Sequence, residues 1–330
     1  MSTVRRLLRA PALLRRLALA SLLANVGLVV TGGAVRLTGS GLGCPTWPRC
    51  SAGSYVTTSE MGVHWSVEFG NRTLGVAVGL LALACVVVAA YQPTPRRPLV
   101  FWSVLVLAGI PAQAVIGGIT VLTRLNPWIV GCHFLASAAV IAAAYQLTIQ
   151  ATAAARAPAP ARPPAAAVPV DPDRRPVQLA RPLVLLARLV VLASAAVLAA
   201  GTVVTGSGPH AGDATARRTG LDPQGIAQIH ADLVFLLIGL STALWFALRA
   251  VNAPAGPRRA AAWLLGAELA QATIGFVQYL THLPAPVVEL HLLGAALVWL
   301  AALGVLDTTR TAEPPPVRSP VTATAMSTAP

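Results

Sequence analysis

Gln113 to His133 reads QAVIGGITVLTRLNPWIVGCH, and Gln271 to His291 reads QATIGFVQYLTHLPAPVVELH. The two stretches align without a gap and each closes on a histidine, so the chain is internally duplicated. Outward from them, Thr38-Gly39-Ser40-Gly41 recurs as Thr205-Gly206-Ser207-Gly208, each copy opening a loop after an apolar segment. The surrounding sequence is 55% hydrophobic with a mean hydropathy of +0.69, and its apolar residues fall in long blocks. A helix needs about 20 apolar residues to cross roughly 30 Å of hydrocarbon. Such segments are read near 17–34, 66–91, 99–122, 129–150, 183–204, 226–249, 260–281 and 287–306. The expected fold is therefore all-α and polytopic, with eight transmembrane helices in two pseudo-symmetric four-helix bundles. An even number of helices per half makes the repeats parallel, related by an axis along the membrane normal.

The net charge of +13 raises nucleic acid as a partner, but membrane topology explains it better. Every basic residue is arginine. Eighteen of the 24 precede the first span, follow the last, or lie in or beside the second-to-third, fourth-to-fifth and sixth-to-seventh connections. Only Arg36, Arg49, Arg72, Arg124, Arg217 and Arg218 fall on the opposite side. The positive-inside rule then puts both termini in the cytoplasm of a cell (plasma) membrane protein. The first segment has a basic start but lacks a convincing small-residue cleavage site, and reads as a retained anchor. Residues 151–182 are rich in Ala, Pro and Arg and read as a cytoplasmic linker; 308–330 read as a disordered tail. The two halves are 1–150 and 183–307.

His133, His230 and His291 stand near the external ends of their spans, and His64 lies just before or within the first turn of the second. Neutral imidazoles from facing helices, at one depth in a duplicated frame, suit a six-coordinate haem iron. A single membrane histidine is more often a hydrogen-bonded packing residue; four at matching depth reverse those odds. His230 and His291 form the obvious pair. In the first half the position corresponding to His230 is Asn71, and His64 is a candidate substitute ligand. His64, Glu68 and Asn71 share one helical face. Glu68 is a carboxylate at the membrane edge, so it reads either as a proton donor or acceptor, or as the partner of Arg72 in an i, i+4 ion pair.

Arg36 and Arg72 are candidate clamps for haem propionates, with Arg124 a weaker one. Cys44 and Cys50 bracket CPTWPRC, where an oxidising compartment permits a disulfide that is either a staple or a redox relay. Cys85 and Cys132 read as packing residues. Gln113 and Gln271 are expected to hydrogen-bond across helices. Asp232, Glu268 and Glu289 are intramembrane carboxylates to which the spacing gives no roles. His210 and His282 are read as loop residues.

Together GGAVRLTGSGLGCPTWPRC, VEFGNR, and the histidines of GCHF, QIHAD and ELHLLG resemble the heme A synthase family, over about residues 17–307. The resemblance implies that the N-terminal bundle holds the substrate haem O and the C-terminal one a haem b. It implies oxidation of the C8 methyl of haem O to a formyl group, giving haem A for terminal oxidase assembly. It further implies that His230 and His291 ligate haem b, that His133 ligates the substrate haem and that Glu68 is catalytic. Asn71 departs from the family, which often has histidine there. The implied partners are membrane lipid, an electron donor, the enzyme that makes haem O and oxidase assembly factors; a homo-oligomer stays open. The competing readings are a dihaem b-type electron carrier, a transporter and a haem-handling chaperone. The carrier would need no special carboxylate.

Overall fold

A computed structural model describes residues 3–51, 53–55, 62–93, 96–156 and 181–312. It is helical: α1 (Thr3–Leu8), α2 (Pro11–Leu37), α3 (Gly62–Tyr91), α4 (Arg96–Leu122), α5 (Pro127–Arg156), α6 (Arg181–Ser207), α7 (Pro223–Ala250), α8 (Ala255–Leu280) and α9 (Ala285–Arg310). The last eight are each long and apolar enough to cross a membrane; seven contain the span read from sequence, and α8 ends one residue before the end of the span read at 260–281. Proline opens α2, α5 and α7 at the first helical position, where its missing N–H costs nothing. Asp222 also caps α7, accepting from the N–H groups of Gln224 and Gly225.

The helices run past the apolar stretches that announce them. The α5 helix continues to Arg156, into the segment read as linker, because 151–156 is ATAAAR and the first proline comes only at 158. The α9 helix likewise reaches Arg310, about one turn short of the proline run that begins at Pro314. The remainder of the linker and tail, 157–180 and 313–330, lies outside the described residues.

In the first half α2, α3, α4 and α5 close a ring of neighbours, and α6, α7, α8 and α9 close the same ring in the second. The halves meet where α2 and α5 pack on α6 and α9. Buried Leu183, Val190, Leu244, Leu248, Leu264 and Val305 fill the second bundle, while Leu22, Val106, Ile141 and Ala144 fill the first with Ala296 of α9 reaching in. Leu80, Phe101, Phe235, Phe246 and Trp263 face outward, as expected of side chains solvated by lipid. One end of the molecule carries the loops α2–α3, α4–α5, α6–α7 and α8–α9 and all six histidines. The other carries α3–α4, α7–α8 and most of the arginine.

At the histidine end the halves are stitched together. The Gly41 N–H donates to the Gly212 carbonyl (2.9 Å), and Leu125, Ala211 and Ala216 bury a small apolar cluster beneath. Deeper, the Trp299 indole donates to the Ala138 carbonyl (3.0 Å).

Candidate functional site

The repeat becomes geometry at His133 and His291. Each stands in the second turn of its helix, and its main-chain carbonyl accepts from a glutamine amide on the preceding helix: Gln113 to His133 (3.3 Å) and Gln271 to His291 (2.8 Å). Gln113 also donates to Ser137, whose hydroxyl returns to the same His133 carbonyl (3.0 Å). Both amides thus fix the depth of a histidine relative to its neighbouring helix. The sequence pairing of the two glutamines is realised across helices, as expected.

The rings themselves lie against glycine. A Cβ at Gly117 would stand 3.2 Å from Cε1 of His133, one at Gly275 3.2 Å from Cε1 of His291, and one at Gly201 3.2 Å from Cε1 of His230. Each imidazole therefore occupies a slot that only a missing side chain leaves open. These glycines went unread in the sequence, although Gly117 and Gly275 are equivalent positions of the duplicated stretch. His133 and His291 keep a buried Nδ1 with no hydrogen-bond partner, while the buried His230 ring lies beside the Val197 carbonyl. Buried polar atoms are seldom left unpartnered, and two at equivalent positions of the repeat mark side chains arranged for a ligand. His230 and His291 lie within electrostatic reach of each other. Among the described residues no three His, Cys, Asp or Glu side chains converge on a bare metal ion. Imidazoles paired across a bundle instead suit an iron whose other four ligands come from a porphyrin.

In the first half the acid and the disulfide form one unit. Cys44 and Cys50 are bonded and buried. The Cys44 N–H donates to Oε2 of Glu68 (2.5 Å), while Arg72 donates Nη2 (2.6 Å) and Nε (3.2 Å) to Oε1. Nη2 of Arg72 also reaches the carbonyls of Cys44 and Thr46, both at 3.2 Å. The ion pair that sequence offered as the alternative for Glu68 is thus present, and it secures the loop. Nη1 of Arg72 is buried without a partner, a donor aimed at no protein acceptor. The same loop lays Trp47 on Gly118 of α4, the next residue along the helix from the glycine that backs His133.

Other candidates have other surroundings. Asn71 Oδ1 accepts from the Thr31 hydroxyl (2.7 Å), a partner the sequence did not suggest. His64 is exposed in the first turn of α3, with Nδ1 2.9 Å from the Ser40 hydroxyl. Arg36 donates Nη2 to the Thr205 carbonyl (2.6 Å) and Nε to that of His210, joining the halves. His210 in turn bonds the Leu283 carbonyl (2.9 Å). Glu268 is buried on the Ser241 hydroxyl (2.8 Å), and the Glu289 carboxylate packs on Gly33 of α2. Asp232 is exposed and bonds Gln228 (2.8 Å). Cys85 is buried and Cys132 exposed. Asp213, in the α6–α7 loop, is held below the usual carboxylate range by bonds from the Thr215 hydroxyl and N–H.

Residues 15–303, nearly all of both bundles, match the COX15-CtaA family of cytochrome oxidase assembly proteins. The chain belongs to this family. Within it, the chain is similar to two curated relatives, the heme A synthases of Geobacillus kaustophilus (strain HTA426) and Geobacillus thermodenitrificans, at 32% identity over 107 residues in each case. That similarity spans 32% of this chain and 32% of each relative's length. Family membership brings haem into the reading of the three glycine-backed imidazoles, whose paired placement, with the orphaned nitrogens of His133 and His291, fits that group.

Substituting the glycine slot tests the fit directly. Gly275→Val should expel the His291 ring from its position and at least halve the haem content of the C-terminal half. Because overpacking typically costs about 1–3 kcal/mol, the protein should still purify as a folded helical species by circular dichroism. Unchanged haem content would show that the slot does not position His291.

Proposed function

We propose that this protein is a heme A synthase that oxidises the C8 methyl group of haem O to a formyl group, for terminal oxidases. The observation that carries the reading is the asymmetry between halves built on one repeat. The second half carries two glycine-backed histidines, His230 and His291, while the first carries one, His133, and adds a carboxylate, a guanidinium and a disulfide joined in one unit.

The proposed division assigns residues 183–307 to a haem b held by His230 and His291, and residues 1–150 to haem O held by His133. When bound, the haems supply the electron transfer and the oxidative chemistry. The chain supplies position and proton handling. Gln113 and Gln271 fix the depth of the ligating helices, and Glu68, already accepting from Cys44 and Arg72, is the group to take or return a proton at the methyl being oxidised. Nη1 of Arg72 is the proposed donor to a propionate. Two successive two-electron hydroxylations, each balanced by dioxygen with two electrons from the donor or by water with two electrons passed to an acceptor, would carry the methyl through an alcohol to a hydrated aldehyde that loses water. The arginine distribution supports a plasma-membrane orientation with both termini cytoplasmic and the histidine end external. An electron donor, the haem O-forming enzyme and oxidase assembly factors are the proposed partners.

The test is product analysis. Cells that make haem O but lack their own synthase should, on expressing this chain, yield hydroxylated haem O or haem A on chromatography of extracted haems. Folded protein yielding only haem b and unmodified haem O under aerobic, reducing conditions would favour the electron-carrier alternative.

Cys44 and Cys50 contribute in two separable ways. If the disulfide relays electrons, Cys44→Ser with Cys50→Ser should lower turnover at least tenfold while leaving haem b content within a factor of two. A loss of both together would make the bond a staple for Glu68.

A further inference from the structure

In the second half, and on α5 of the first, every inward imidazole obeys one rule: the helix before it carries a glycine whose absent Cβ the ring would otherwise meet at 3.2 Å. The pairs are Gly117 with His133, Gly201 with His230 and Gly275 with His291. Superposing the two Thr-Gly-Ser-Gly copies puts Ala34 at the place of Gly201, just as Asn71 stands at the place of His230. Both members of the fourth slot have changed together. A ring would need the space that the Ala34 methyl takes.

What fills that place is polar. Thr31, at the register of Leu198, donates to Asn71 Oδ1 at 2.7 Å. His64 is the other histidine of this half, and it sits seven residues, about 10 Å of helix rise, toward the loop from Asn71. There it is exposed and engaged with Ser40.

Among the described residues the other iron-ligating side chains are engaged elsewhere or distant: Tyr55, in the α2–α3 loop, is exposed with Arg49 over its ring, and Met61 lies outside the described residues. The chain has no lysine, and Cys44 and Cys50 are joined. Cys85 and Tyr91 are 14 and 20 residues beyond Asn71 on α3, about 21 and 30 Å deeper. Tyr145 lies 12 residues, about 18 Å, beyond His133 on α5. Cys132 adjoins His133 and is exposed, about 100° around the helix from it.

We propose that the haem iron of the N-terminal half takes one protein ligand, His133, and that its opposite side faces the Thr31–Asn71 pair, leaving a coordination position exchangeable with small exogenous ligands. The inference rests on the haem reading above and goes beyond it. The two halves then differ in kind: a closed, two-imidazole site suited to passing electrons, and an open one with hydrogen-bonding groups over the exchangeable position.

The test uses the full-length protein loaded with haem O, without dioxygen or reductant, and reads spin state by electron paramagnetic resonance. Carbon monoxide binding is then measured after reduction. One low-spin and one high-spin ferric centre per chain are expected, with carbon monoxide taken up by the latter alone. His133→Ala should remove the high-spin signal, and His64→Ala should leave both signals unchanged. The pair Ala34→Gly with Asn71→His should convert the high-spin centre to low-spin and cut carbon monoxide uptake at least tenfold. Persistence of the other low-spin signal certifies that each variant is folded. Two low-spin centres in the unmodified chain, with His64→Ala turning one high-spin, would overturn the inference while leaving the haem reading intact. So would a single low-spin haem per chain. Protein that binds no haem would overturn both.

Discussion

His230→Ala and His291→Ala are each expected to cut haem b binding, with at least a tenfold drop in haem b recovered per folded chain. The two residues come from different helices, α7 and α9, yet they lie within electrostatic reach of each other. Each ring is buried against a glycine of the preceding helix. On the proposed ligation, removing either imidazole would take away one of the two side chains that would hold the haem, while leaving the apolar core of α6–α9, which lies toward the other end, unaltered. Helical content and membrane insertion are therefore expected to persist, as judged by circular dichroism and by partitioning into the membrane fraction. The haem content of the two variants should fall alike. A variant that kept its full complement of haem b would show that the ligand pair lies elsewhere.

Glu68→Gln has the second large effect, on turnover and not on haem b. Glutamine preserves the shape of the side chain and can still accept from the Cys44 N–H, but it can neither take up a proton at neutral pH nor balance Arg72. Proton transfer by a positioned side chain typically contributes about 10²–10⁴-fold, so conversion of haem O should fall by on the order of 10² or more. Haem b, which the proposal assigns to the other half, should stay within a factor of two of the unmodified protein. Equal loss of haem b in Glu68→Gln and His291→Ala would make Glu68 a folding residue. Retained turnover would leave it as the partner of Arg72 alone. Adding Arg72→Gln to Glu68→Gln separates charge balance from chemistry: it removes the uncompensated cation, so any folding defect should ease while turnover stays low.

Much of this molecule was legible in its residues because the membrane simplifies the problem. A helix that must satisfy its backbone in hydrocarbon announces itself by apolar length alone, and the eight spans follow. The repeat then fixed which positions are equivalent, and the His133/His291 and Gln113/Gln271 pairs emerged as cross-helix geometry. The i, i+4 spacing of Glu68 and Arg72 and the short Cys44–Cys50 ring are local features, and both are formed. Less visible were contacts that depend on how the helices and loops turn against each other. Nothing in the sequence said that Arg36 would meet the carbonyls of Thr205 and His210, since a backbone acceptor leaves no residue signature. The Thr31–Asn71 bond required the rotation of α2 against α3. Asp232, two residues from His230, turns out to be exposed because neighbours along a helix point in different directions. The glycine slots were missed for a different reason: an absent side chain draws attention only once something is seen to fill its space.

The most direct measurement is the haem content of full-length protein purified from haem-replete cells, taken as the reduced-minus-oxidised spectrum with haem quantified per chain. Imidazoles gripping iron porphyrin in both bundles should give red protein with a Soret band, a b-type α band and about two haems per chain. Colourless, folded, membrane-inserted protein would contradict it.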